Sequence, residues 1–192
     1  PKSCTFTYDG NEHYITEKDL SYNGTLSEDD TITLVDYTPI VVKEVSDSGK
    51  DVVQIVASNI KIIGKDGSDN TSNYGIEILT KVDKYTIYAG ELSLSSNPLP
   101  LTKTFDNKPF DKSLFKVSIT NGYSLPLNEI IDPTFYNINV KDVGRYENSF
   151  SVKIIDTDTD TDVSSNYSIS SLTFGELIIN PLTFSISSLQ ND

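Results

Sequence analysis

The apolar residues of this chain fall in short blocks that alternate with polar ones, rather than in stripes spaced three and four apart. Phe150, Val152 and Ile154 alternate with Ser151 and Lys153, the period of a strand with one covered face. Tyr74, Ile76 and Ile78 keep the same period, as do Tyr167 and Ile169. Runs rich in β-branched and aromatic residues at 31–35, 38–45, 52–63, 114–119 and 135–140 predict further strands. Asn23-Gly24, Asp66-Gly67 and Asn121-Gly122 supply turn chemistry between them. Only 12–20 and 110–115 read as helix, and both are short. The pattern is that of an all-β chain.

It is also a pattern that recurs. Thr5-Phe6-Thr7-Tyr8-Asp9-Gly10 returns as Thr102-Lys103-Thr104-Phe105-Asp106-Asn107, and Val45-Ser46-Asp47-Ser48-Gly49 as Val140-Lys141-Asp142-Val143-Gly144. Ser72-Asn73-Tyr74 returns as Ser165-Asn166-Tyr167, and Gly90-Glu91-Leu92 as Gly175-Glu176-Leu177. The landmarks keep their order at displacements of roughly 85 to 97 residues, as expected of two copies of one domain. The shortening of the last displacement predicts a longer hairpin in the first copy, at 82–88. Asn97-Pro98-Leu99-Pro100 and Asn180-Pro181-Leu182 read as joints, because proline stiffens the chain and removes a ladder donor. The domains are therefore placed at 1–98 and 99–192, joined by a short linker that favours a semi-rigid rod.

Composition narrows the chemistry. Apolar residues make up 36% of the 192, a low share that still supplies a core. The 15 Lys and Arg face 28 Asp and Glu, a formal charge of −13 that repels phosphate backbones and anionic lipid surfaces. Nucleic acid is thereby excluded as a partner. No stretch approaches the ~20 apolar residues of a membrane helix, and no membrane insertion is expected. Cys4 is the only cysteine, so no disulfide forms within the chain. Neither a signal peptide nor any methionine is present, even at position 1, and the chain reads as a piece of a longer protein.

Asp142-Val143-Gly144-Arg145-Tyr146 has the form Asp-x-Gly-x-Tyr, which in immunoglobulin-like sandwiches makes a corner where the tyrosine hydroxyl bonds back to the main chain. The first copy has Asp51 in place of that tyrosine, so its corner must be held differently. Tyr8-Asp9-Gly10 at a domain start, Asp-x-Gly before a strand, Asn-Tyr preceding another and Gly-Glu-Leu followed by proline together resemble the MBG or YDG-type repeats of bacterial surface adhesins. Phe105-Asp106-Asn107 departs from the Tyr-Asp-Gly form, so that turn is expected to differ in type. The resemblance implies a secreted or cell-wall-attached stalk or adhesion module, with no catalytic residues. It also implies that Tyr8 and Phe105 anchor cores and that Gly10, Gly49 and Gly144 permit tight turns.

Candidate chemistry is sparse. His13 and Cys4 form no recognisable nucleophile and base pair. Asp156, Asp158 and Asp160 alternate with threonine in the most acidic segment and are the candidate calcium ligands, since hard carboxylate oxygens suit that ion. The loop lacks the glycine and the closing glutamate of an EF-hand. Burying the whole Asp run would be costly, so the strand from Phe150 is expected to end near Ile155. Lys61 and Lys153, both in strands, are candidates for an isopeptide crosslink to asparagine.

The sequence thus reads as two tandem immunoglobulin-like β-sandwich domains, with β-grasp-like α+β repeats as the alternative fold. The expected role is non-catalytic: a stalk or adhesion module, extracellular, whose partners are neighbouring repeats and a host protein or glycan. A ligand-binding module of an adhesin and an accessory domain of a secreted polysaccharide-degrading enzyme are the alternatives. No cofactor is expected beyond the candidate calcium.

Overall fold

The computed structural model describes residues 4–14, 16, 19, 22–52, 55–78 and 84–187. The fold is mostly β, and among the described residues no helix reaches seven residues. None is long and apolar enough to cross a membrane. The helix that β-grasp repeats need is not found among the described residues of 12–20. The chain forms two compact units, Pro1–Ala89 and Gly90–Asp192.

In the first unit β1 (Thr5–Thr7) lies parallel to β4 (Thr86–Tyr88), Thr5 beside Thr86. A second pair, β2 (Thr31–Leu34) and β3 (Ile60–Ile63), is antiparallel. Tyr8, Val42, Ile62, Tyr85 and Ile87 are almost wholly buried. The run 38–45 forms no strand; His13 and Val42 exchange N–H donations at 2.7 and 2.9 Å as an isolated bridge, and Tyr85 Oη donates to Ile40 O. Of the hairpin expected at 82–88, Val82 and Asp83 lie outside the described residues, and Thr86–Tyr88 is β4.

Among its described residues the second unit contains three small sheets. β5 (Gly90–Ser96) runs between β12 (Tyr167–Thr173), parallel to it, and β7 (Val117–Ile119), antiparallel. β13 (Gly175–Asn180) runs between β6 (Leu101–Thr104), parallel, and β9 (Gly144–Asn148), antiparallel. β10 (Phe150–Asp156) runs between β8 (Glu129–Phe135) and the short β11 (Thr161–Asp162), antiparallel to both. Pro133 lies inside β8, which has a partner on one side alone; an edge strand tolerates the missing donor. That proline and Asp132 hid this strand from the pattern reading, which began it at Phe135, where it ends. Leu177 and Ile179 on β13 pack with Phe110 and Phe115, and the rings of Phe115, Phe135, Phe150 and Phe174 follow one another at 5.2 to 5.9 Å.

The units share their local architecture. Tyr8 N–H donates to Tyr88 O, and Phe105 N–H to Asn180 O, both at 2.8 Å, immediately after the parallel pairing of opening and closing strands. Ile62 N–H donates to Thr71 Oγ1 as Ile154 N–H does to Ser164 Oγ. The two Gly-Glu-Leu segments are not counterparts: Gly90 pairs with Tyr167, whereas Gly175 pairs with Asn148. Asn97-Pro98 lies between β5 and β6, inside the second compact unit, because Gly90–Ser96 finds its ladder partners there.

Tyr146 Oη donates to Asp142 O at 3.0 Å, the expected corner. Gly10 and Gly49 have left-handed backbones, but Gly144 does not; a Cβ there would lie 3.2 Å from the Tyr146 ring, which would have to shift by a few tenths of an ångström. Leu177→Ala should destabilise the second unit by about 2–5 kcal/mol, the range for emptying a packed site. Tyr146→Phe, which removes only the hydroxyl, should cost about 0.5–1.5 kcal/mol. Denaturant unfolding of the two variants checks this, and equal losses would contradict the ranking of core packing above the corner bond.

Candidate functional site

Two polar constellations occur in both units, and they hold the residues singled out from the sequence. The first follows the opening strand. Asp9 Oδ1 accepts Asn11 N–H at 2.9 Å, and Asp106 Oδ1 accepts Lys108 N–H at 3.0 Å. Gly10 and Asn107 between them both have positive φ, so the second turn is of the same hand despite losing its glycine; asparagine tolerates that region.

Around this turn the basic and aromatic partners change places. In the first unit Phe6 on β1 stacks on His13 at 4.1 Å, and His13 Nε2 reaches Asp9 Oδ1 at 3.0 Å. In the second, Lys103 holds the strand position of Phe6 and Phe110 the loop position of His13. Lys103 Nζ lies 5.3 Å from the Phe110 ring centre and 2.5 Å from Asp106 Oδ1, and it also donates to Lys108 O. Each unit thus keeps one basic group, one ring and one carboxylate. Burial pushes the Asp9 carboxyl up, but Asn11 and His13 outweigh it and hold it below its usual range. Lys103, with Lys108 N–H, does the same for Asp106. His13 is committed to structure in this arrangement, its ring face on Phe6 and its Nε2 on Asp9. Cys4 is buried.

The second constellation is the acidic hairpin. β10 continues one residue past the expected end, and Asp156 is buried at 6% exposure. The cost is met by hydrogen bonds: Oδ1 accepts Asp158 N–H (2.9 Å) and Thr159 N–H (3.2 Å), and Oδ2 accepts Asn128 Nδ2 (2.9 Å). Burial raises the Asp156 carboxyl, yet these donors leave it below its ordinary value. Asp158 and Asp160 are exposed, Asp160 with φ +55°. Among the described residues no group of three metal-ligating side chains is drawn together.

Asp162 closes the hairpin. Its Oδ1 accepts Ser164 N–H and Oγ–H, and its Oδ2 lies 3.4 Å from Lys153 Nζ. In the first unit Asp69 accepts Thr71 N–H and lies 2.6 Å from Lys61 Nζ. Lys61 and Lys153 are accordingly exposed and ion-paired across a hairpin, not buried beside an asparagine. Beneath each hairpin a tyrosine meets a carboxylate. Tyr74 Oη donates to Asp30 at 2.6 Å, and Tyr167 Oη to Glu129 at 2.5 Å. The sequence pattern pairs Tyr74 with Tyr167 but gives no sign of their acids, which lie far away along the chain and carry no motif.

Comparison with family models, with curated proteins and with solved structures returns no match to this chain. The recurring carboxylates cap turns, satisfy buried hydroxyls and pair with lysines.

Acid should reveal this. Lys61 first, then Thr71, depress the Asp69 carboxyl; Ser164 first, with Lys153 adding, depresses Asp162. A carboxyl depressed in the folded state stabilises the fold above its unfolded pKa of about 3.9, and the stabilisation is lost as pH falls through the lower folded value. Thermal melts should therefore be insensitive to pH near neutrality and drop steeply below about pH 4. Asp69→Asn and Asp162→Asn should each flatten that acid limb. Separately, Asp156→Ala should lower the melting midpoint equally in calcium and in chelator. A drop seen in calcium alone would mean that the carboxylate serves an ion rather than the turn.

Proposed function

We propose that this chain is a load-bearing spacer: two immunoglobulin-like β-sandwich units of the MBG or YDG kind, in tandem, from the stalk of a bacterial surface protein. The observation that carries the reading is the parallel pairing of an early strand with a late one in each unit, β1 with β4 and β6 with β13. Tension applied through the ends of such a unit pulls the two strands past each other lengthwise. The ladder bonds then bear load together, whereas antiparallel hairpin strands pulled from their open ends unzip one bond at a time. The Tyr146 corner supports the sandwich assignment.

The surface suits an exposed spacer. A formal charge of −13 keeps neighbouring molecules apart in solution, and polar strand faces bear Ser, Thr, Asp and Lys. The described carboxylate clusters are engaged in turns and ion pairs, which favours the mechanical reading over the ligand-binding one. Catalysis has no part in the proposal.

Single-molecule stretching tests it. Two unfolding events should appear, both at forces well above that of an unzipping hairpin. Thr86→Pro removes the N–H that donates to Cys4 O at 2.8 Å, and should weaken one event while leaving the other unchanged. Two low-force events in the unmodified chain would sink the load-bearing reading.

A further inference from the structure

Pro133 removes no bond from the ladder of β8, and the reason also places Asp132. Tyr136 N–H donates to Ser149 O and Thr157 N–H to Asn128 O, at 3.0 and 2.7 Å, one beyond each end of the β8–β10 pairing. Bonded and open pairs alternate along an antiparallel ladder, so the even-numbered residues of β8 are the bonded ones. Pro133, beside Val152, stands at an open pair with its nitrogen turned away from β10. Asp132, beside Lys153, stands at a bonded pair, where its carbonyl accepts the Lys153 N–H.

The Asp132 side chain is exposed on the outer face of this pair, flanked by Ile130 and Thr134 on β8 and by Ser151 and Ile155 across on β10. Among the described residues the charged group facing it is Lys153, whose ammonium lies 3.4 Å from Asp162. The Asp132 carboxyl itself has no hydrogen bond or ion pair among those residues, unlike the carboxyls of the Asp turns and the acidic hairpin. It also precedes the only Asp-Pro bond in the chain. Proline nitrogen carries no hydrogen, so its attack on the side-chain carboxyl to form a succinimide is closed. It departs readily as a secondary amine, so attack by the carboxyl on its own main-chain carbonyl is open.

We propose that the second unit cuts its own chain between Asp132 and Pro133 in mild acid, the Asp132 carboxyl acting as nucleophile and the Lys153 N–H holding the carbonyl oxygen. A carboxyl oxygen of Asp132 bonds to that residue's carbonyl carbon, the bond to the Pro133 nitrogen breaks, and the carboxyl proton passes to that nitrogen. The products are a cyclic anhydride and a free proline amine. Water then opens the anhydride and leaves Asp132 as a C-terminus with two carboxyl groups; one water is consumed and nothing is oxidised. Acid supplies the proton, since carboxyls bind it as pH approaches about 4. A main-chain N–H aimed at the carbonyl oxygen is the arrangement that stabilises charge developing there, made here by a strand ladder. The cut need not open the unit. Ile130 and Ile131 stay beside Ile155 and Ile154, Thr134 and Phe135 stay beside Ser151 and Phe150, and the Phe135 ring stays between those of Phe115 and Phe150.

The inference does not rest on the spacer reading: cleavage is read on a denaturing gel and rupture force by stretching, so either can fail alone. The full chain is held at about pH 4.5, with circular dichroism showing it folded, beside the same chain in denaturant at that pH. Two fragments should accumulate in the folded sample about tenfold faster than in the unfolded one, because only the fold aims the Lys153 N–H. The second fragment should begin Pro133-Thr134-Phe135, and the two should migrate together in size exclusion without denaturant. Asp132→Glu, whose anhydride ring is one atom larger and closes more slowly, and Asp132→Asn, which lacks the carboxyl, should both stay intact over the same period. A folded chain that stays whole, a cut elsewhere, a cut that persists in Asp132→Asn, or one that is as fast in denaturant overturns the proposal.

Discussion

In each unit a parallel pair joins an early strand to a late one, β1 to β4 and β6 to β13. Parallel neighbours cannot be joined by a tight turn, so everything between Thr7 and Thr86, or between Thr104 and Leu177, must be accommodated as intervening chain. The entropy of closing so long a loop grows only slowly with its length, but it must still be offset. Tyr85 and Ile87 offset it in the first unit, Leu177 and Ile179 in the second, and all four are nearly inaccessible. The Asp turns follow immediately on the opening strands, and the basic group and ring beside each turn lock the corner.

Polar groups near these cores are held to structural tasks by the same closure. Ser96 is fully buried; its Oγ donates to Asn148 O and accepts Gly175 N–H, tying β5, β9 and β13 together. Asp156 is tolerated inside because three donors face it. Unpaired, such groups would destabilise the fold by more than their bonds stabilise it. Their satisfaction explains how a chain this acidic keeps carboxylates under its surface.

Much of the strand content was legible because period two is a local signal. β2, β10 and the start of β12 lie where alternation or β-branched runs placed them, and Gly24, Gly67 and Gly122 have the positive φ their turns require. Failures had physical causes. The run 38–45 has strand composition, but among the described residues it gains only the isolated His13–Val42 bridge. β8 was missed because Pro133 is allowed on an edge. Asp156 was expected outside because hydrogen bonds from Asp158, Thr159 and Asn128 cannot be read from composition. At the turns, the exchange of Phe6 and His13 for Lys103 and Phe110 looks in sequence like the loss of a motif and is in space its preservation.

The sequence by itself determined that the chain is mostly β, that its landmarks recur in order, and where several turns and the Tyr146 corner fall. These depend on residues within a few positions of one another. Only the tertiary structure decided which strands are neighbours, which carboxylate each tyrosine meets, and that Gly90–Ser96 finds its ladder partners in the second unit. Those outcomes depend on pairing between distant segments, and a strand carries no local mark of its partner. The clearest case is the pair of alternating segments at 74–78 and 167–169: one pattern, yet 167–173 is a strand paired with β5 and 74–78 is not a strand.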